Sequence, residues 1–409
     1  MSLATTLRGV RVLDLTRNLA GPFCTMTLGD LGAEVTKIEH PAGGDDTRRW
    51  RPPEWDGRSA TYLAANRNKR SVAVNLDDPS GRDIVRAIAA SADVLVESFK
   101  PGSLTRRGLG YQQLAEANPR LVYCSISAYG DRGPKSGLPG YDPILQADTG
   151  IMDLTGDPEA DPVRLGVGAI DLGAALWSVL GILAALANRE RTGQGSHVRS
   201  SLFETSTWWL SYHLAGYLGT GVAPRRQGTA TPFISPYQVF DTADHRLMLA
   251  APNDELFRRL VDELGVPGLA TEPRFTTNPD RVAHRFELCG QLAPALRQCR
   301  AEEWEKRLRA RNIPCSRVRT IAELATDPQL DALGLLRAIP GSAIDGLRLV
   351  DTPITVDGAR GDCRLPPPEL GEHTFEVLDE LGFGPERVAE LQEQGVINGS
   401  SPTGSGSPD

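Results

Sequence analysis

The sequence has no cysteines at C-x-x-C spacing, no Gly-x-Gly-x-x-Gly turn, no Walker A loop and no excess of basic charge. Each absence removes a class of function. The six cysteines (Cys24, Cys124, Cys289, Cys299, Cys315 and Cys363) are scattered without a histidine cluster, so neither a zinc site nor a disulfide framework is expected. Lys and Arg total 44 against 52 Asp and Glu, a net charge of -8, which argues against a nucleic-acid binder that must displace counterions from phosphates. The loop after the first apolar run, TRNLAGPF, lacks the glycines that let backbone amides approach a pyrophosphate, so NAD and FAD are not expected. Without a P-loop, ATP-driven acyl activation has no phosphate cradle, and a substrate is expected to arrive already activated. No uncharged apolar window reaches 18 residues, and residues 1–20 carry Arg8, Arg11, Asp14 and Arg17 where a signal peptide would be apolar. Reduced thiols, no membrane span and a cytoplasmic location are the expectation.

The chain does contain an alternation of short apolar runs and helical stretches. VRVLDL (Val10 to Leu15), a helical stretch to Asp30 and EVTKIE (Glu34 to Glu39) make a βαβ opening. Helix 81–90, strand 93–97 and a strand ending at Ser127 continue it, which predicts an α/β fold with a Rossmann-like parallel sheet. Residues 172–189 are apolar around most of a helix circumference and are expected to be deeply buried. With 409 residues, two or three domains are expected. The spacing predicts a large-domain segment over 1–218, a smaller α+β domain with its linker over 219–327, a second large-domain segment over 328–397, and a disordered Gly/Ser/Pro tail over 398–409.

Basic clusters recur at Arg48, Arg49 and Arg51, at Arg67, Lys69 and Arg70, and at Lys100, Arg106 and Arg107. They could hold phosphates, or balance Asp45, Asp46, Asp77 and Asp78 on a solvated surface; spacing leaves both open.

The motifs TRNLAGPF, GGDDTR, NRNKRSVAVNL, DVLVESFKPG, GYDPILQADTG, GAIDLGAA and LGEHTFEVLDELGF occur in this order over nearly the whole chain. Together they resemble the class III CoA-transferase family, which includes formyl-CoA:oxalate, carnitine and dicarboxylate CoA-transferases and 2-methylacyl-CoA racemases. The closest motifs are those of succinyl-type dicarboxylate transferases. The resemblance implies an interlaced homodimer, an acyl-CoA thioester and small carboxylic acids as substrates, and no permanently bound cofactor or metal. It implies that Asp171 is the nucleophile, because a carboxylate can attack a thioester to form a mixed anhydride. It also implies CoA contacts at Leu19, Ala20, His40, Val74, Asn75, Leu76, Asp77, Ser98, Phe99, Lys100, Arg106, Pro139, Gly140, Tyr141 and Asp142.

Local sequence offers a second reading of Asp171, the N-cap of a helix starting near Leu172, where its carboxylate would stay ionised. The two readings are compatible. Leu19 stands where formyl-CoA transferases carry Gln, and their Gly-rich lid is replaced by RRQGTATPF, so oxalate chemistry is disfavoured. Shielding of the anhydride then falls to the dimer interface or the second domain. Arg17 is a candidate clamp for a distal carboxylate, or a plain surface charge. The racemase branch needs a proton-shuttling His where this chain has Tyr141, a phenol that ionises far above neutral pH. A catalytically silent acyl-CoA binder is the third reading. His197, His213, His245, His284 and His373 are expected to be structural or exposed.

Overall fold

The computed structural model describes residues 3 to 399. In chain order its strands are β1 (Arg11–Leu15), β2 (Glu34–Glu39), the short hairpin β3 (Glu54–Trp55) and β4 (Arg58–Ser59), β5 (Lys69–Val74), β6 (Val94–Glu97), β7 (Val122–Ser127) and β8 (His197–Ser201). There follow β9 (Tyr237–Asp241), β10 (Arg246–Ala250), β11 (Cys315–Arg317), β12 (Leu336–Ala338), β13 (Arg348–Val350) and β14 (Ile397–Asn398).

The chain divides into two compact units, the first made of 1–149, 166–211 and 331–409 and the second of 150–165 and 212–330. The first unit holds a seven-stranded sheet in the order β14-β5-β2-β1-β6-β7-β8. All neighbours are parallel except β14, which runs antiparallel to β5 through Ile397 and Val74. One sheet face carries Leu13, Leu15, Val72, Val74 and Leu95. They pack on Ile84, Val85 and Ile88 of the Pro79–Ser91 helix and on Val377, Leu378 and Leu391 from the C-terminal helices. Each such side chain contributes roughly 1.5–3 kcal/mol when fully buried. The Pro79–Ser91 helix starts cleanly because Asp78 accepts from Ser80 N and Pro79 opens the first turn. The Ala169–Thr192 helix lies against the Ala20–Asp30 helix and strands β7 and β8. Successive strands grow outward from β1 in both directions, so the chain reverses between β1 and β6. A crevice opens there, beyond the strands' C-terminal ends.

The second unit is α+β. A three-stranded antiparallel sheet, β11-β10-β9, is covered by the Asp254–Glu263, Arg285–Leu296 and Ala301–Ala310 helices around Phe257, Leu260, Leu292 and Trp304.

Three differences from the sequence expectation have physical causes. The units divide at 211/212 and 330/331 where the sequence suggests 218/219 and 327/328, because the Ser211–Thr220 helix buries no residue; residues 150–165 also belong with the second unit. Asn398, placed in the tail by composition, ends β14, while the rest of that stretch from residue 400 lies outside the described residues. The Ala169–Thr192 helix is long and apolar enough to cross a membrane by length and composition. It is only half buried, with Leu172, Leu176 and Leu180 outward, since packed elements cover one side of an almost uniformly apolar cylinder.

Candidate active site

The loop Thr16–Leu19 leaves β1 under the hold of buried charges. Asp14 Oδ1 accepts from Thr16 N at 2.8 Å and from Thr16 Oγ1 at 2.6 Å, and Lys37 Nζ donates to Thr16 O at 2.8 Å. Asp45 Oδ1 accepts from Asn18 N at 3.2 Å, and Lys69 Nζ donates to Pro22 O at 2.9 Å. A Cβ at Gly21 would fall 2.2 Å from Thr16 Cβ, so only glycine lets the helix begin this close to the strand end. The loop that presents Arg17 and Leu19 is therefore fixed from below.

The loop after β6 is tied to it. Glu97 Oε2 accepts from Phe99 N at 2.8 Å, Arg17 N donates to Ser98 Oγ at 3.0 Å, and the Arg17 guanidinium lies 5.2 Å from the Phe99 ring centroid.

Asp171 comes from the Ala169–Thr192 helix, and here the expected N-cap role is corrected. The helix begins at Ala169, two residues before Asp171, and Gly168 occupies the cap position without a side chain. The missing cap comes from elsewhere in the chain. Asp142, 3% exposed, accepts from Ile170 N at 2.7 Å and from Asp171 N at 3.1 Å through Oδ2, while the Gln146 amide donates to its Oδ1. The expectation that Asp171 stays ionised is corrected with it: burial, then the neighbouring Asp142 charge, pushes Asp171 up to about 7.

Asp171 opens into a cavity of about 230 Å³ with Arg17, Leu19, Ala20, Ser98, Phe99, Lys100, Pro139, Gly140 and Tyr141 on its walls. Trp50, Ser127, Leu138 and Leu202, residues that no motif singled out, also line it. A second cavity, of about 340 Å³, is lined by His40, Val74, Leu76 and Asp77 with Leu15, Ile38 and Arg107. Arg17, Phe99 and Lys100 line both, so the two cavities meet at the sheet's reversal point. Asn75, Arg106 and Asp142 line neither; Arg107 stands in the second cavity, held by Asp77 at 2.7 Å. The signal for Arg107 was its place beside Arg106, and one-residue resolution was beyond the pattern.

The surface-balance reading holds for Arg49, paired with Asp46 at 2.9 Å, and for Arg107, paired with Asp77 at 2.7 Å, whereas Arg48, Arg67 and Lys69 are drawn into the fold. Arg48 grips Glu39 at 2.8 and 2.7 Å, Arg67 grips Asp30 at 3.0 and 2.6 Å, and Lys69 meets Asp14 at 3.1 Å, with Arg67 and Lys69 fully buried. Arg17 and Lys100 have no carboxylate partner among the described residues and face both cavities, while Arg107 joins them in the second.

A further cleft, about 620 Å³, lies over the ends of β6, β7 and β8. Its Glu97 is pushed up to about 7 by burial, and its His197, hydrogen-bonded to Ser125 Oγ at 2.9 Å and packed on Tyr111 and Tyr123, is pushed down to about 4, again mainly by burial. This cleft does not include Asp171.

Comparison with known proteins identifies a family. The family model for CoA-transferase family III matches residues 7–374. A succinate–glutarate CoA-transferase from Agrobacterium fabrum is 41% identical over 384 residues, covering 92% of this chain and 95% of its own. Human succinyl-CoA:glutarate CoA-transferase is 37% identical, covering 96% and 90%. The crystal structure of a CAIB/BAIF family protein from Brucella suis superposes with a TM-score of 0.82 at 38% identity, covering 92% of this chain and 99% of that one.

Proposed function

The chain belongs to CoA-transferase family III, and from that membership we propose that it moves CoA between dicarboxylic acids, with succinyl-CoA or a similar dicarboxyl-CoA as donor and Asp171 as the covalent carrier. The observation that carries the reading is Asp171 at the wall of a small cavity that shares Arg17 and Lys100, two cations with no carboxylate partner among the described residues, with a second, adjoining cavity. The adjoining cavity has the size and the flanking His40 and Arg107 to take the nucleotide end of CoA, leaving the thioester beside Asp171.

In the proposed reaction an Asp171 carboxylate oxygen attacks the thioester carbonyl and CoA thiolate leaves, giving a mixed anhydride. The thiolate then attacks the aspartyl carbonyl, the donor acid departs, and an aspartyl-CoA thioester remains. An acceptor carboxylate attacks that thioester and CoA leaves again. The thiolate finally attacks the acyl carbonyl of the new anhydride, which releases product acyl-CoA and restores Asp171. No ATP is consumed, because each acyl bond is exchanged for another of similar energy. Arg17, a planar fork with no carboxylate partner among the described residues, suits the distal carboxylate of a dicarboxyl group better than a point charge would.

The racemase reading loses ground at the cavity itself. Tyr141 stands there 56% exposed, and no histidine lines the cavity among the described residues. A homodimer forms the rest of the proposal, supported by the outward Leu172, Leu176 and Leu180.

The test is an exchange screen with succinyl-CoA against free acids, with mass spectrometry after hydroxylamine quenching. Glutarate or another dicarboxylate should accept CoA, and hydroxylamine should mark Asp171. Asp171→Ala should lose the mark and at least about 1,000-fold in kcat. Equal turnover by Asp171→Ala would overturn the mechanism.

A further inference from the structure

The N-terminus of the helix that carries Asp171 has no capping side chain of its own, since Gly168 occupies that place. The N–H of Ile170 is buried and that of Asp171 part-buried, and a buried unpaired donor costs about 1–3 kcal/mol. Asp142, 28 and 29 residues away along the chain from its two donors, supplies one carboxylate oxygen to both Ile170 N and Asp171 N. Three groups converge on Gly168, where a Cβ would make ordinary contacts of 3.8 Å with Asp142 Oδ2, 3.8 Å with Asp171 Cβ and 3.7 Å with Leu19 Cδ1. Asp142 thus braces the backbone of the nucleophile directly. Its own orientation is set by the Gln146 amide one turn along the same short helix.

We propose that Asp142 is a positioning residue for the transfer reaction: it fixes the Asp171 backbone from a separate segment and sets a like charge beside the nucleophile. The proposal rests on Asp171 being the nucleophile. The charge matters because a carboxylate's nucleophilicity rises with its basicity, whereas a helix N-terminus left uncapped would stabilise the ionised, less reactive form. By accepting the two N–H groups, Asp142 removes that stabilisation and adds a like charge. The other ionisable groups facing Asp171 are Arg17, Lys100 and Tyr141 on the cavity wall; Glu204, on the neighbouring Leu202–Trp209 helix, opens into the separate cleft over β8 and caps onto Ser201.

Asp142→Asn separates the two effects, because its amide oxygen can still accept from Ile170 and Asp171 while Gln146 turns its own carbonyl toward the new NH2. The measurement is kcat/KM for succinyl-CoA against pH, with the same substrate throughout so that substrate ionisation cancels. In the wild-type protein the acid limb should lie near the Asp171 value of about 7, and in Asp142→Asn it should move about one pH unit lower. Asp142→Ala, which loses the brace as well, should in addition lower kcat about 10- to 100-fold with KM for succinyl-CoA little changed. Thermal melting of each variant reports folding, and if Asp142→Ala melts out, Asp142→Asn alone decides. An acid limb at the same pH in the wild type and Asp142→Asn overturns the proposal. Full activity in Asp171→Ala would instead overturn the nucleophile assignment, so the two failures are distinguishable.

Discussion

The two readings of Arg17, a clamp for a distal carboxylate and a plain surface charge, predict different kinetics. Its guanidinium is exposed, lies over Phe99 and faces both cavities, and its backbone N–H donates to Ser98. Arg17→Met keeps the stem that packs on Phe99 and removes the fork. If the fork binds the far carboxylate, losing a charge-assisted pair worth about 1.5–3 kcal/mol should raise KM for dicarboxylate acceptors about 10- to 100-fold. Monocarboxylate acceptors should be nearly unaffected, and the acid panel that tests the proposed function also reads this ratio. A uniform loss across all acids would place Arg17 on CoA instead. At this scale the sequence was informative where a motif is local. Asp171, Leu19, Lys100 and Tyr141 fall together around one cavity. It was silent where the partner is distant: nothing in GAIDLGAA reveals that its helix is capped by the Asp of GYDP, because a cap supplied from another segment leaves no local spacing to read.

Strand β5 shows the same limit for a whole element. The segment KRSVAV opens with two cations, so the apolar periodicity that marks β1 and β2 is broken, yet β5 lies inside the sheet between β2 and β14. Lys69 can be there because Asp14 Oδ2, Asn66 Oδ1 and Pro22 O all accept from its Nζ, and Lys37 on β2 is matched to Asp45 at 3.0 Å. Pairing between strands, invisible along the chain, is what makes the strand possible. The strands whose pattern is apolar and periodic, β1 and β2, were legible to within a residue of their ends. Breaking one partner of a buried pair strands the other charge, which costs about 3–5 kcal/mol. Lys69→Met should therefore lower the urea unfolding free energy by that amount. It should also loosen the Thr16–Pro22 loop, because the bond to Pro22 O goes with it. Unfolding within about 1 kcal/mol of the wild type would mean the network is replaceable by apolar packing.

For the whole molecule the decisive feature is apolar surface that a single chain leaves uncovered. Leu176 and Leu180 are 62% and 56% exposed on one outer face of the Ala169–Thr192 helix, and Trp208 is 54% exposed on the Leu202–Trp209 helix that packs against it. The Ser211–Thr220 helix buries none of its residues although it carries Tyr212, Leu214, Tyr217 and Leu218. Large apolar side chains left outward on a helix mark an interaction surface, and a second copy is the partner that is always present at equal concentration. The protein should sediment at twice the 44.1 kDa of the chain. Leu176→Glu with Leu180→Glu should shift it to monomer while leaving far-UV circular dichroism unchanged, because both side chains already point outward. The chemistry gives this a second readout. A mixed anhydride in a cavity rimmed by exposed Trp50 and Tyr141 is open to water unless something covers it, and water attack there hydrolyses the thioester without making product. If the partner chain provides the cover, the monomerised variant should release free CoA from succinyl-CoA with little transfer to the acceptor, so hydrolysis relative to transfer should rise as dimer is lost. A monomer that transfers CoA as cleanly as the wild type would show instead that one chain excludes water by itself.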